Sequence, residues 1–442
     1  MSASKFGLAQ WTLLAALAVT SGGISAAQAA DLGGNCCADL EERIAELEAT
    51  TARKGNRKVS LEVSGHVNEA ILWWDDGVES NAGVYTNDNA RSRFRFKGDA
   101  KINDDWKAGY LLEIGVRSAN SKRFDQDEPN PRDEAGLDVR HSAWYVKSKT
   151  FGALWMGLTG GASEGITEIN LAQTKDVLKY SDQEDNALGL ETVVNGAYTG
   201  LAWRRLIRGG GDQPGEGKRY NMVRYDTPEL AGFHGTANWG EDDAWEVGLR
   251  YKGEFGDFKV AAGIAYGENS DVTSDDPAFQ CVGNDGPDSD RDCKQLGGSV
   301  SVMHTTSGLY VNFAAGYLDD ELIASDAGAA AIAAVAEDRS TFYAIEAGIE
   351  RKFFDHGKTT IFGQYYKNDG GSQDRDFNGL GDIVESKLES YGVGIVQGID
   401  AAAMHVYLTY RHYEGDVTAG AALTNEELDD LDVVMSGAII RF

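Results

Sequence analysis

The sequence predicts an all-β fold, a 16-stranded antiparallel transmembrane β-barrel, and three observations carry that reading. Apolar and polar residues alternate with a period of two from Val59 onward. The connections between the alternating segments are short and long by turns. No apolar stretch, that of the N-terminal leader included, is long enough to cross a bilayer as a helix, which takes about 20 residues.

The leader comes first. Lys5 gives a positive start, Trp11 to Val19 is apolar, and Ala27-Gln28-Ala29 is a small-residue cleavage site. This pattern reads as a secretory signal peptide over 1–29. Residues 30–56 form a separate periplasmic segment. Leu40, Ile44 and Leu47 stand at 4-3 spacing with charges between them, a short coiled-coil seam too brief to hold alone. It fits either a helix that self-associates because the barrels already hold the copies together, or a frayed amphipathic helix.

From Val59 the period becomes two. Val59, Leu61, Val63, Val67 and Ile71 share one face, while Ser60, Glu62, Ser64, His66 and Asn68 share the other. Such alternation, one face for lipid and one for a polar lumen, marks barrel staves. The candidate strands are 58–72, 91–100, 106–117, 138–148, 152–158, 219–227, 233–239, 244–253, 257–267, 298–305, 309–317, 341–351, 358–366, 388–397, 403–412 and 432–442. Short turns such as 101–105 and 254–256 alternate with long loops such as 74–90, 118–137, 159–218 and 367–387. Short turns belong on the periplasmic side and long loops outside. The connection 240–243 breaks the rule, being short where a long one is due. An even number of strands puts both barrel ends in the periplasm, beside the N-terminal segment.

Composition agrees. Mean hydropathy is −0.37, too polar for a helical membrane protein but ordinary for a barrel whose faces average out. Pro is scarce at 6, which suits long paired strands, since Pro cannot donate to a ladder. The net charge of −29 excludes a nucleic-acid partner, which needs a basic footprint. Most of the acids fall in the loops. There they suit a surface of outer-membrane lipid and lipopolysaccharide, whose phosphates are bridged by divalent cations that carboxylates also bind. The last strand ends on Phe442, the kind of terminal aromatic that barrel-assembly machinery reads; in a soluble protein the same strand would be an exposed apolar edge.

An exported chain permits disulfides. Cys281 and Cys293 enclose a Gly/Asp-rich stretch and read as the staple of a surface loop, whereas Cys36 and Cys37 are adjacent and badly placed to pair with each other. No metal site is expected. The Cys spacings are not those of zinc, and Asp288, Asp290 and Asp292 lack the glycine and glutamate of a calcium loop. No nucleophile elbow, phosphate loop or zinc-protease motif is present, so neither a cofactor nor enzymatic activity is expected.

Several segments carry a resemblance. RSRFRFKG followed by INDDW, VRHSAWYVKSKTFGALWMG, RYNMVRYDTPELAGF and the opening LEERIAELEATTARKGNRKVSLEVSGHVN look like the general porins of Gram-negative bacteria, most closely the alphaproteobacterial porin family. The resemblance implies a homotrimer of barrels in the outer membrane, passive diffusion of small polar solutes and ions, and a third extracellular loop folded into each lumen. The longest connection, 159–218, stands where that loop belongs.

Pore selectivity rests on charges at the narrowest point. Phe94 and Phe96 face lipid, which turns Arg93, Arg95 and Lys97 into the lumen; Arg93 and Arg140 also match wall arginines of the general porins, and Arg224 is inward by alternation. The opposite side falls to Glu164, Glu168, Asp176, Asp182, Glu184 and Asp185 of the long loop, whose second half carries Arg204, Arg205 and Arg208. Other readings are a substrate-specific channel, an outer-membrane lipase using His141 or His405, and a structural tether built on the N-terminal helix.

Overall fold

The computed structural model describes residues 58–129, 136–207, 213–240, 243–270, 281, 293–320, 335 and 337–442. The leader 1–29, the segment 30–56 with Cys36 and Cys37, Arg208, the three aspartates of 288–292 and nearly all of 327–336 lie outside them.

Nineteen strands share one sheet. Three are short extensions, Ser80–Thr86, Gln373–Asp376 and Thr424–Glu427, and the other sixteen are the staves of the wall. In order these are Glu62–Asp75, Arg93–Lys101, Trp106–Arg117, Gly136–Ser148, Gly152–Gly160, Arg219–Asp226, Phe233–Gly240, Trp245–Phe255, Phe258–Asn269, Cys293–His304, Leu309–Asp320, Arg339–Phe354, Gly357–Asp369, Asp382–Ile399, Met404–Ala419 and Leu431–Arg441. All sixteen sequence segments become staves. Each pairs antiparallel with its neighbours. The short 240–243 connection is genuine, for Phe233–Gly240 pairs with Trp245–Phe255 and Gly240 N–H donates to Ala244 O at 2.9 Å.

The burial of the staves is inverted relative to a soluble protein. Val311, Phe313, Ile345, Ile361, Val393 and Leu408 project outward and are exposed, while Asn312, Glu346, Thr360, Gln364, Thr409 and Arg411 are buried inside. Oil outside and polar groups within is the arrangement of a transmembrane barrel. Trp74 and Tyr145 turn inward and are buried, as are Tyr220, Tyr310, Tyr366, Tyr407 and Tyr413, while Trp73, Trp144, Tyr343, Tyr391 and Tyr410 are exposed on the outer face.

The first and last staves close the wall, in register from His66↔Arg441 to Asp75↔Asp432. Beyond that ladder Gly65 N–H donates to Phe442 O at 2.9 Å and Phe442 N–H to Gly65 O at 3.0 Å. Glycine is required at 65: a Cβ there would stand 2.4 Å from Arg93 O and 2.7 Å from the Phe442 ring.

Cys281 and Cys293 are disulfide-bonded as expected, with Cα atoms 6.0 Å apart, and both are buried against Tyr220, Met222 and Leu318. Cys293 begins a stave and its side chain takes the inward face, so the bridge lies inside the mouth.

Because Gly65 sits at the seam, Gly65→Val is expected to destabilise the folded barrel by about 1–3 kcal/mol through overpacking. The check is the temperature at which the compact band on a semi-native gel gives way to the unfolded band; it falls in the variant.

Candidate functional site: a charged passage inside the barrel

The described parts of the chain between the fifth and sixth staves, 161–207 and 213–218, fold into the lumen and are fastened by wall side chains. Ser163 N–H donates to Glu246 Oε2 (2.7 Å), Ile169 N–H to Ser299 Oγ (3.2 Å), Leu171 N–H to Ser301 Oγ (3.0 Å) and Gln173 N–H to Glu350 Oε2 (2.8 Å). Thr174 Oγ1 donates to Glu346 Oε1 at 2.9 Å. Farther along, Gln364 and Arg411 donate to the carbonyls of Leu178 and Lys179, both at 2.8 Å. A loop buried in this way leaves backbone groups that need partners, and the wall acids and hydroxyls provide them. The second half adds apolar contact. Leu188, Leu190, Leu201, Trp203, Leu206 and Ile207 join Phe377, Tyr413, Val417 and Leu431 in one buried cluster.

The loop thus hugs the wall from the eighth stave round to the fifteenth. Between it and the second to sixth staves a cavity of about 640 Å³ remains. All six predicted loop acids, Glu164, Glu168, Asp176, Asp182, Glu184 and Asp185, line it, as do Arg93 and Arg140 of the wall. Arg95, Lys97 and Arg224 do not. Arg95 and Lys97 follow Arg93 toward the short-turn end. Arg224 is inward as expected, but it is held by Asp226 (2.8 Å), lies over the Trp155 ring, and leaves the lining to Arg219 of the same stave. Arg204 and Arg205 lie on the 3-10 turn Trp203–Leu206, also outside the lining.

The wall arginines converge on one carboxylate. Glu113, on the third stave, accepts from Arg93 Nη1 (3.3 Å), Arg95 Nε (2.6 Å) and Arg140 Nε (2.8 Å). Nearer the mouth Asp88, fully buried, bonds Arg117 Nε at 2.8 Å and Arg91 Nη2 at 3.2 Å, and Arg91 also reaches Asp138 at 2.8 Å. Burial alone would push the Asp88 carboxyl up, but Arg91, Arg117 and Lys122 outweigh it and hold it well below the usual carboxylate range.

The loop acids do not face the wall unaccompanied. Lys179, from the loop itself, meets Glu168 (2.7 Å), Asp182 (3.0 Å) and Asp185 (3.5 Å). Burial disfavours its charge, yet these carboxylates and Glu216 raise its pKa well above the usual lysine value. Lys122 and Arg123, on the connection after the third stave, pair with Glu184. Arg219 pairs with Glu164, and Arg441 binds Asp176 at 2.6 Å. Both carboxyls are lowered, burial being outweighed by Arg219 and its neighbours in one case and by Lys175 and Arg441 in the other. Asp182, Glu184 and Asp185 approach closely enough to hold a metal ion, but Lys122 and Lys179 are already bound to the same carboxylates. Two unit charges 4 Å apart interact by about 4 kcal/mol at an effective dielectric of 20, so this compensation outweighs any single exposed charge.

Sequence reasoning missed Glu113, Arg91, Arg219, Lys122, Lys179 and Glu216. Glu113 had a visible signal, the one acid of the third stave, set in the apolar run from Ala108 to Val116. For Lys122 and Lys179, on irregular segments, no periodicity was available.

A closed wall, apolar outside and charged within, with its longest loop folded into the lumen, is the geometry of an aqueous pore. The Gram-negative porin family matches residues 13–427. The chain belongs to that family. It is an outer-membrane channel for passive diffusion. Two solved structures share the fold. The anion-selective porin from Comamonas acidovorans superposes with a TM-score of 0.50 at 13% identity, covering 87% of this chain and 100% of its own. OmpF of Salmonella typhi, in complex with daunomycin, gives 0.50 at 14%, covering 87% and 98%. OmpT of Vibrio cholerae, in trimer form, gives 0.49 at 15%, covering 87% and 99%. None of the curated proteins matches the chain in sequence.

Asp88→Asn removes the carboxylate that Arg91 and Arg117 share and leaves them only Asp138, so a loss of about 1–3 kcal/mol of stability is expected. The sign with pH follows from the lowered pKa. The stabilisation is complete above the usual carboxylate range and is lost as pH falls through the folded-state value. Thermal unfolding in detergent at pH 7 and at pH 3 reads both; the wild type should lose more on acidification than the Asn variant.

Proposed function

We propose that this porin passes small hydrophilic solutes and ions, sorting them weakly by size and charge in the passage between the 161–218 loop and the arginine wall. The observation that carries the reading is the cavity lining, where Arg91, Arg93, Arg140 and Arg219 meet Glu164, Glu168, Asp176 and Glu216, with Arg219 paired to Glu164. A low-dielectric wall focuses such charges on whatever passes. Ions and dipolar solutes find partners there, while apolar solutes would have to displace bound water without replacing its hydrogen bonds. Within this reading the barrel acts as a homotrimer among lipopolysaccharide and lipid, exported by the signal peptide over 1–29, with Phe442 read by the assembly machinery. Bond making has no part in it, and no cofactor is required.

The test is the reversal potential across a planar bilayer under a salt gradient. Arg93→Gln/Arg140→Gln is expected to move selectivity toward cations by about fivefold or more, the factor for removing one or two unit charges a few ångström from the ion at water-like dielectric. Unchanged selectivity in a folded double variant removes these arginines from the narrow point and refutes the reading.

A further inference from the structure

Glu113 is a buried carboxylate whose hydrogen bonds are spent on cations. Oε1 takes Arg93 and Arg140, Oε2 takes Arg95. These arginines come from the second and fourth staves, and Glu113 stands on the third, between them. Arg95 and Glu113 are direct cross-strand partners. On the other side the pairing shifts register between Glu113 and Ile114, so that Glu113 stands opposite His141 and Ile114 opposite Val139, with Arg140 as the extra residue. A bulge of this kind re-aims a side chain, and here it brings the Arg140 guanidinium onto the carboxylate. Among the described residues no other acid forms an ion pair with Arg93, Arg95 or Arg140.

We propose that Glu113 is the positioning residue for the selectivity of this pore: it folds three guanidiniums flat against the wall and so sets both how much positive charge the lumen presents and how far that charge reaches into the passage. The inference rests on the arginine wall lining the narrow point. All three side chains are held against the wall to different degrees: Arg140 is 7% exposed, Arg93 18% and Arg95, nearest the short-turn end, 43%. A guanidinium is a planar fork that keeps its direction when a carboxylate meets it, and long flexible stems swing when that contact is lost. Three like charges released together repel one another, and the open side is the lumen.

A simple fixed charge and a positioning residue predict different outcomes in two variants. Glu113→Asp keeps the charge but withdraws it by one methylene, so it cannot hold arginines from both flanking staves. Arg95→Gln/Glu113→Gln removes one charge of each sign, leaves the local sum unchanged and frees Arg93 and Arg140. Both are measured by reversal potential and single-channel recording, after a semi-native gel confirms the folded barrel. The expected result is a shift toward anions of about twofold to fivefold in each, with increased open-channel noise. If both keep wild-type selectivity while Arg93→Gln/Arg140→Gln moves it, Glu113 is only a countercharge and the proposal fails. If the arginine variant itself changes nothing, the underlying assignment of the narrow point fails with it. The charge-balanced double variant also serves should Glu113→Asp not insert.

Discussion

Closure of the hydrogen-bonded wall is the constraint on which the rest of this structure depends. Inside a bilayer an unpaired backbone group costs several kcal/mol, so an open sheet edge is not tolerated there. The ladder from His66↔Arg441 to Asp75↔Asp432 removes that edge. Once it is shut, every stave has one residue in two against lipid and one against the lumen. The apolar exterior and the polar interior are then consequences of a single topological fact. The seam is tight: Gly65 has no room for a side chain between Arg93 O and the Phe442 ring.

A closed barrel of this circumference would leave a wide hole, and the 161–218 loop narrows it. What holds the loop is mostly hydrogen bonding to carboxylates and hydroxyls of the wall, Glu246, Ser299, Ser301, Glu346 and Glu350. An apolar cluster around Trp203 and Tyr413 anchors its second half. The passage left over is asymmetric, with one side made by loop and the other by staves two to six. That asymmetry lets one side carry arginines and the other carboxylates.

The charges in the passage are arranged as compensated groups. Lys179 sits among Glu168, Asp182 and Asp185, Asp88 between Arg91 and Arg117, and Glu113 among three arginines. Buried or half-buried ions survive only when paired. The transverse contrast seen in the sequence as acids against bases is therefore softer in the folded chain than a count of residues suggests. Its strength depends on which side chains are tied back, and by what.

The alternation itself was enough to fix the staves, because a period of two is a local property and two different solvents act on it at every residue. The segments from Val59 to Phe442, the inward turn of Arg93 and Arg95 opposite Phe94 and Phe96, and the length of the connection read as 159–218 all followed from that. Tertiary structure decided the remainder. Alternation put Arg224 inside but could not tell that Asp226 would hold it below the passage while Arg219 took the lining, since depth along the barrel depends on register between staves. Nor could it show that Cys281 and Cys293 would be buried in the mouth, or that Lys122 and Lys179, on irregular segments, would neutralise the loop acids. Those pairings join residues tens to hundreds of positions apart, and only closing the wall and folding the loop into it brings them within reach.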